Sequence, residues 1–365
     1  MLDDYGRLMR LAGYQDVIDA SVPTALKVNV SWHRYYPACS TTPWQLEGVI
    51  RAMLEDGHAR EHVYACHNRT VVVSARKGEK ANRLLPVVQR YGIENVHLYE
   101  KREQWIDVRE AVGGIVDDFL VLKEVYPRGF QIPRRFIGAN IIHMPTVKTH
   151  VFTTVTGAMK NAFGGLLSEK RHLSHKVIHE TLVDLLMIQK KIHRGIFAVM
   201  DGTFAGDGPG PRCMKAHAKS VILASADQVA IDAVSAKLMG YDPLRDIKFI
   251  RIAHDMGLGC GDPGLIKIVG DEQAAGENWD FRGPFQKMTF ASRMQHAIYW
   301  GWLNRPLEWT LNSWLVPWSY LASILYHDLY WYPFIGKKRV RRAMDTQWGR
   351  LFQRYGERPG GLGFG

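Results

Sequence analysis

Strand-like and helix-like periods take turns along most of this chain. Short apolar runs at Lys27-Val-Asn-Val, His62–Ala65, Thr70–Ser74, Asn95–Tyr99, Ala139–His143, Ile196–Met200 and Ser220–Leu223 read as strands. Between them Trp44–Asp56, Asn82–Tyr91, Leu173–Ile192, Gln228–Met239 and Ile247–Met256 carry helical spacing, with Thr42-Pro43 opening the first and Gly57, Gly240 and Gly257 closing three of them. A chain that keeps switching in this way returns each strand to the same sheet through a helical crossover. The expected class is therefore α/β, a mainly parallel sheet covered by helices on both faces. Residues 1–284 form this body, as one unit or as two lobes, 1–135 and 136–284. Residues 285–365 form a C-terminal aromatic and basic helical appendage. In sheets of this kind ligands bind beyond the carboxyl ends of the strands, so chemistry is to be sought in the connecting loops.

Composition narrows the class further. With 46% apolar and 23% charged residues over 365 positions, disordered, collagenous and coiled-coil chains are excluded. Cys39, Cys66, Cys213 and Cys260 are far apart and form no CxxC pair, which removes a zinc ribbon, a ferredoxin-type cluster and a disulfide framework. The start, Met1-Leu2-Asp3-Asp4, has no secretory pattern, so a cytoplasmic location is expected.

The net charge of +11 is uneven: eleven Lys and Arg against four carboxylates give +7 from residue 285 onward. A nucleic-acid binder would spread such charge over a recognition face, so nucleic acid is an unlikely partner. Here Lys337–Arg342 follow Trp309–Ile335, whose single formal charge is Asp328, and seven of the eleven tryptophans lie from Trp300 onward. Indole rings favour the headgroup zone of a bilayer, and each nearby cation gains about 1 kcal/mol from anionic lipid. Residues 300–342 are thus expected at a membrane surface, peripheral at its inner face. Pro317, Pro333, Asn312, His327 and Asp328 argue against a full span. The competing expectation is that the same rings pack on the body or on a second copy in a homo-oligomer.

The densest chemistry lies in Met144–Gly165. Lys148 and Lys160 suit a carboxylate or phosphate, His150 can carry a proton near neutral pH, and Asn161 is a positioning donor. Thr156 with the amides around Gly157 and Gly164 can approach an anion closely. His172, His175 and His179 follow at helical spacing and could aim at one metal ion. The segment Met200–Pro211 reads as a glycine-rich loop in which Asp201 offers a base or metal ligand and Asp207 and Gly208 an anion or metal contact. It lacks both the GxGxxG order and the Walker lysine. Lys27 and Asn29 on the first strand, and Thr42 at a helix entry, add anion contacts. Asp227 is placed to cap the helix it precedes, and Asp232 lies within that helix and could face the site.

Taken in order, these pieces resemble the domain of unknown function 362 family: Lys27/Asn29, Thr41–Pro43, Lys148/His150, Thr156/Gly157/Lys160/Asn161/Gly164, Asp201/Gly202, Gly206–Pro209, Asp227/Ala230/Asp232/Ala233, and Gly257–Gly259 with Asp262/Pro263. The resemblance spans about residues 25–270 and names no reaction. Many relatives carry a ferredoxin-like cysteine module that this chain lacks, and the tail lies outside the family pattern. The central block is also similar to the nickel-dependent lactate racemase family through His150, Gly157, Lys160 and His172 or His175. That likeness implies a lysine-held nickel cofactor with proton-exchanging histidines.

The leading expectation is an enzyme, reductase or isomerase, that moves a proton or hydride on an anionic substrate, membrane-derived or isoprenoid-like. Its catalytic set is His150, Lys148, Lys160, Asn161 and Asp201, with a divalent metal or redox group as cofactor. The alternatives are a metal or iron–sulfur carrier without turnover and a structural subunit of a membrane complex.

Overall fold

The computed structural model describes residues 1–68, 72–167, 169–283, 288–303 and 321–357. The first part of the strand expected at Thr70–Ser74 and the first part of the aromatic run, 309–320, lie outside the described residues. Among the described residues ten strands occur in chain order: β1 Thr24–Val28, β2 Val63–His67, β3 Glu94–His97, β4 Trp105–Asp107, β5 Gln131–Pro133, β6 Asn140–Met144, β7 Thr146–His150, β8 Thr154–Val155, β9 Ile196–Asp207 and β10 Lys215–Ser225. Eight form one sheet in the order β3-β2-β1-β6-β9-β7-β8, with β10 on β9, and β4 pairs with β5 as a separate antiparallel ribbon. The pairs β3–β2–β1–β6–β9 are parallel, and so is β7 on β9. Helices cover the sheet, as the change of period predicts. Because β1 pairs directly with β6, the chain on both sides of residue 135 builds one sheet.

Period-two alternation sorts the strand residues between two cores. Leu26, Val28, Ile142, Met144, Phe197 and Val199 pack with the helices Leu2–Leu11 and Pro43–Glu55. Ala25, Ile141, Ala198 and Met200 face the helices Ala158–Leu166 and Ile178–Ile192.

Three local expectations change. The glycine-rich segment from Met200 is strand, not loop, as far as Asp207. It is held between β7 and β10, and its glycines serve close packing: a Cβ on Gly202 would stand 2.8 Å from Val221 Cγ2, and one on Gly206 2.5 Å from Met214 Sδ. The helix expected from Leu173 is a 3₁₀ stretch over Glu169–Val177 that becomes α only at Ile178. The helix expected over Asn82–Tyr91 begins two residues later, at Leu84, after Arg83 takes a left-handed φ of 59°, and a separate short helix, Ala75–Ala81, precedes it.

The tail folds onto the body. Phe352 and Tyr355 join the core of Tyr5 and Trp44. Asp328 accepts from Trp32 Nε1 at 2.9 Å and faces His33 Nε2 at 3.1 Å, and Trp331, 2% exposed, packs on Trp32 and Tyr36. Among the described residues no helix is long and apolar enough to cross a membrane.

Candidate functional site

The strand order reverses direction between β1 and β6, and at such a switch point the crossovers diverge and leave a crevice beyond the strand ends. The crevice here is a cavity of about 620 Å³. β1 delivers Lys27 to it, β2 His67, and β7 Lys148 and His150.

Lys160 and Asn161 come from the helix Ala158–Leu166, and that helix is fixed by Asp232. The carboxylate of Asp232 accepts from the Ala158 amide at 2.6 Å and the Met159 amide at 3.1 Å. It approaches so closely that a Cβ on Gly157 would lie 2.1 Å from its Oδ1, which explains a glycine there. Asn161 Nδ2 donates to the Lys27 carbonyl at 2.7 Å, tying the helix to β1. The stem of Lys27 crosses Gly165, where a Cβ would stand 3.0 Å from Lys27 Cε.

The polar end of the cavity is cationic. Lys27, Lys148, Lys160, Arg171 and Arg212 line it, and no Asp or Glu is among its described lining residues. The Lys148 ammonium donates to the Cys39 carbonyl at 2.6 Å and to Thr146 Oγ1 at 3.0 Å, and that of Lys27 to the Val28 carbonyl at 2.7 Å. Carbonyls hold the two ammonium groups in place but do not neutralise them. Burial pushes both down to about 8. Burial, reinforced by Lys148 and Arg171, pushes Lys160 down to about 7. Apolar side chains line the same cavity: Val28, Val30, Phe152 and Phe163 from the body, with the Phe163 ring 5.6 Å from the Lys160 ammonium, and Phe290, Met294, Ile298 and Tyr326 from the C-terminal appendage.

Two imidazoles flank Phe152, with ring centroids 5.7 Å (His150) and 5.5 Å (His175) from it. Their hydrogen bonds set opposite tautomers. His150 Nδ1 accepts from the Phe152 amide at 3.1 Å, so the neutral ring carries its proton on Nε2. His175 Nδ1 faces the His172 carbonyl at 3.1 Å and must donate, which leaves a lone pair on Nε2. Burial holds both rings neutral: His150 lies well below its usual value, helped by Lys160 and Lys148, and His175 falls to about 3.

Asn29, Thr156, Gly157, Gly164 and His172 also line the cavity, while five expected site residues do not. Asp201 is no base at the cavity. Its Oδ2 accepts from Tyr5 at 2.7 Å, Thr42 at 2.6 Å and Trp44 at 2.8 Å, and its Oδ1 accepts from the Thr203 amide and hydroxyl. It cements the core between the N-terminal helix, the helix entry and β9. Thr42 is consumed by the same contact and by capping Gln45. Asp207, at the end of β9, faces His217 at 3.6 Å, and the Gly208 amide donates to Thr149 Oγ1 at 2.8 Å. His179 stacks on Phe249, in the α-helix that follows the 3₁₀ stretch carrying His172 and His175. Among the described residues the three histidines form no metal-ligating group.

Sequence reasoning missed Arg171, Arg212 and the apolar wall, whose partners are remote in sequence. It also missed His67, Glu79 and His97, whose ligand atoms all lie within 4.8 Å of one another. The available signal was a histidine ending each of two neighbouring strands.

The family model described as domain of unknown function (DUF362) matches residues 24–237. The chain belongs to this family. The DUF362 match runs from β1 to the helix Gln228–Leu238 and so includes every lysine of the cavity, His150, His175 and Asp232, but none of the apolar wall from Phe290 to Tyr326. No curated protein and no solved structure matches the chain, and the likeness to lactate racemases is not shown.

Proposed function

We propose that this DUF362 protein is an enzyme that moves a proton on a substrate with an anionic head and an apolar body. The observation that carries the reading is the cavity's lining, in which buried lysines and apolar side chains share one space. Lysines buried without a carboxylate partner are costly as cations, and a bound anion removes that cost. The apolar side chains that share the cavity match a substrate whose remainder is hydrocarbon. Lys148 and Lys160 clamp the anion with Lys27 beneath them, and Asn161 holds Lys27's strand. His150 Nε2–H is a donor for charge developing on oxygen, and His175 Nε2, whose basicity the bound anion raises by offsetting Lys160 and Arg171, is the acceptor for the proton removed. Paired groups of this kind contribute about 10²–10⁴ in rate.

Octanesulfonate tests the binding half, with inorganic sulfate and octanol as controls. It is expected to bind more tightly than either control, and Lys148→Met with Lys160→Met to remove that advantage. Equal binding of octanol would refute the clamp. Ligand extracted from the native protein is expected to gain deuterium in D₂O with wild type and not with His175→Ala.

The apolar wall has an outer face. Leu321, Leu325, Leu329, Tyr330 and Phe334 are exposed on the segment whose Ala322, Ser323 and Tyr326 line the cavity. The basic helix Lys337–Met344 follows at once. This arrangement supports a peripheral membrane surface from which an apolar substrate enters.

A further inference from the structure

Outside the lysine cluster, one group of side chains has chemistry that the proposed reaction leaves unused. β2 and β3 are adjacent parallel strands whose register sets His67 beside His97 at their carboxyl ends. The helix Ala75–Ala81 lays Glu79 across both. Glu79 Oε1 lies in contact with His67 Nε2 and 2.6 Å from His97 Nε2, and all three residues are buried. His97 Nδ1 in turn faces Glu100 Oε1 at 3.1 Å. Both nitrogens of His97 face carboxylates, which offer only lone pairs, so a neutral ring satisfies one of them and not the other; the tautomer that a metal would select carries its proton on Nδ1, towards Glu100. Nε2 then points a lone pair at the lone pairs of Glu79. In that tautomer a cation between the two electron-rich atoms removes their repulsion, and His67 Nε2 converges on the same place.

We propose that His67, Glu79 and His97 form a site for a divalent transition-metal ion. Two imidazoles and one carboxylate are a donor set for zinc or ferrous iron that leaves coordination positions open. Glu100 fills the outer role, a carboxylate on the far nitrogen that orients a ligating histidine. His67 borders the cavity as well as this cluster, so the ion sits at the cavity wall, where an open position can meet a bound anion. The site is independent of the proton-transfer assignment, because it shares no residue with the clamp or the histidine pair.

The test uses the full chain, stripped with chelator and titrated with Co²⁺ by visible absorption and with Zn²⁺ by calorimetry. One equivalent is expected to bind, with Co²⁺ bands of a low-symmetry N/O site. Glu79→Gln, close to isosteric, is expected to weaken binding at least 100-fold and Glu100→Gln about 10- to 100-fold. His172→Ala with His175→Ala is expected to leave it unchanged. Circular dichroism melting confirms that each variant is folded. Absence of stoichiometric binding in folded wild type overturns the proposal. So does undiminished binding in folded Glu79→Gln, or loss only in the His172/His175 variant.

Discussion

Raising the pH should weaken anion binding in a way that reports the buried lysines directly. Lys160 is held at about 7 and Lys27 and Lys148 at about 8 in the empty protein, in each case mainly by burial. An anion favours the ammonium form, so each of these groups rises when the site fills, and binding takes up protons wherever the empty lysines have lost them. Affinity is therefore flat below about pH 7. Above it, each lysine that must be recharged costs about tenfold per pH unit. For octanesulfonate, whose own charge is fixed, the loss between pH 6 and 9 is about 100-fold from Lys160 alone. Lys27 and Lys148 each add up to about tenfold by pH 9. Calorimetry in two buffers of different ionisation enthalpy counts the protons taken up, about one or more per ligand at pH 8.5. Lys160→Met should remove the part of the slope that begins near 7. Affinity that stays flat to pH 9, as ordinary exposed lysines would give, would refute the argument.

The remaining predictions concern stability and the tail. Asp201→Ala should lower stability by about 3 kcal/mol, since it leaves buried donors of Tyr5, Thr42 and Trp44 unpaired, while octanesulfonate affinity of the folded fraction is unchanged. Thermal melting and calorimetry check the two halves. Gly157→Ala should displace the Asp232 carboxylate, uncap the helix that carries Lys160 and weaken anion binding, read by the same titration. Asp328→Ala should loosen the tail from Trp32 and His33, seen as faster proteolysis after residue 288 with the sheet intact. Leu329→Ser with Phe334→Ser should reduce co-sedimentation with anionic vesicles and leave octanesulfonate binding intact. Undiminished sedimentation would remove the membrane surface from the account.

The sheet was legible because strands and helices announce themselves by period, and the lysines because charge inside an apolar segment is hard to explain otherwise. Asp201 misled because its surroundings are set by Tyr5 and Trp44, more than 150 positions away in sequence. Its neighbours in sequence, glycines in a strand, imitate a loop. The histidine run misled because its spacing reads as one α-helix, whereas the chain changes from 3₁₀ to α winding at Ile178, and nothing local says where one becomes the other. Glu79 was invisible for a simpler reason. It sits in a short, charged helix that looks like surface, and only the fold brings it beneath the ends of β2 and β3.

The most direct test of the cationic, half-apolar cavity is a crystal structure of the full chain with octanesulfonate. The account predicts the sulfonate among Lys27, Lys148 and Lys160, with the chain running towards Phe290 and Met294. A sulfonate held elsewhere, or an alkyl chain buried with its head turned to solvent, would contradict it.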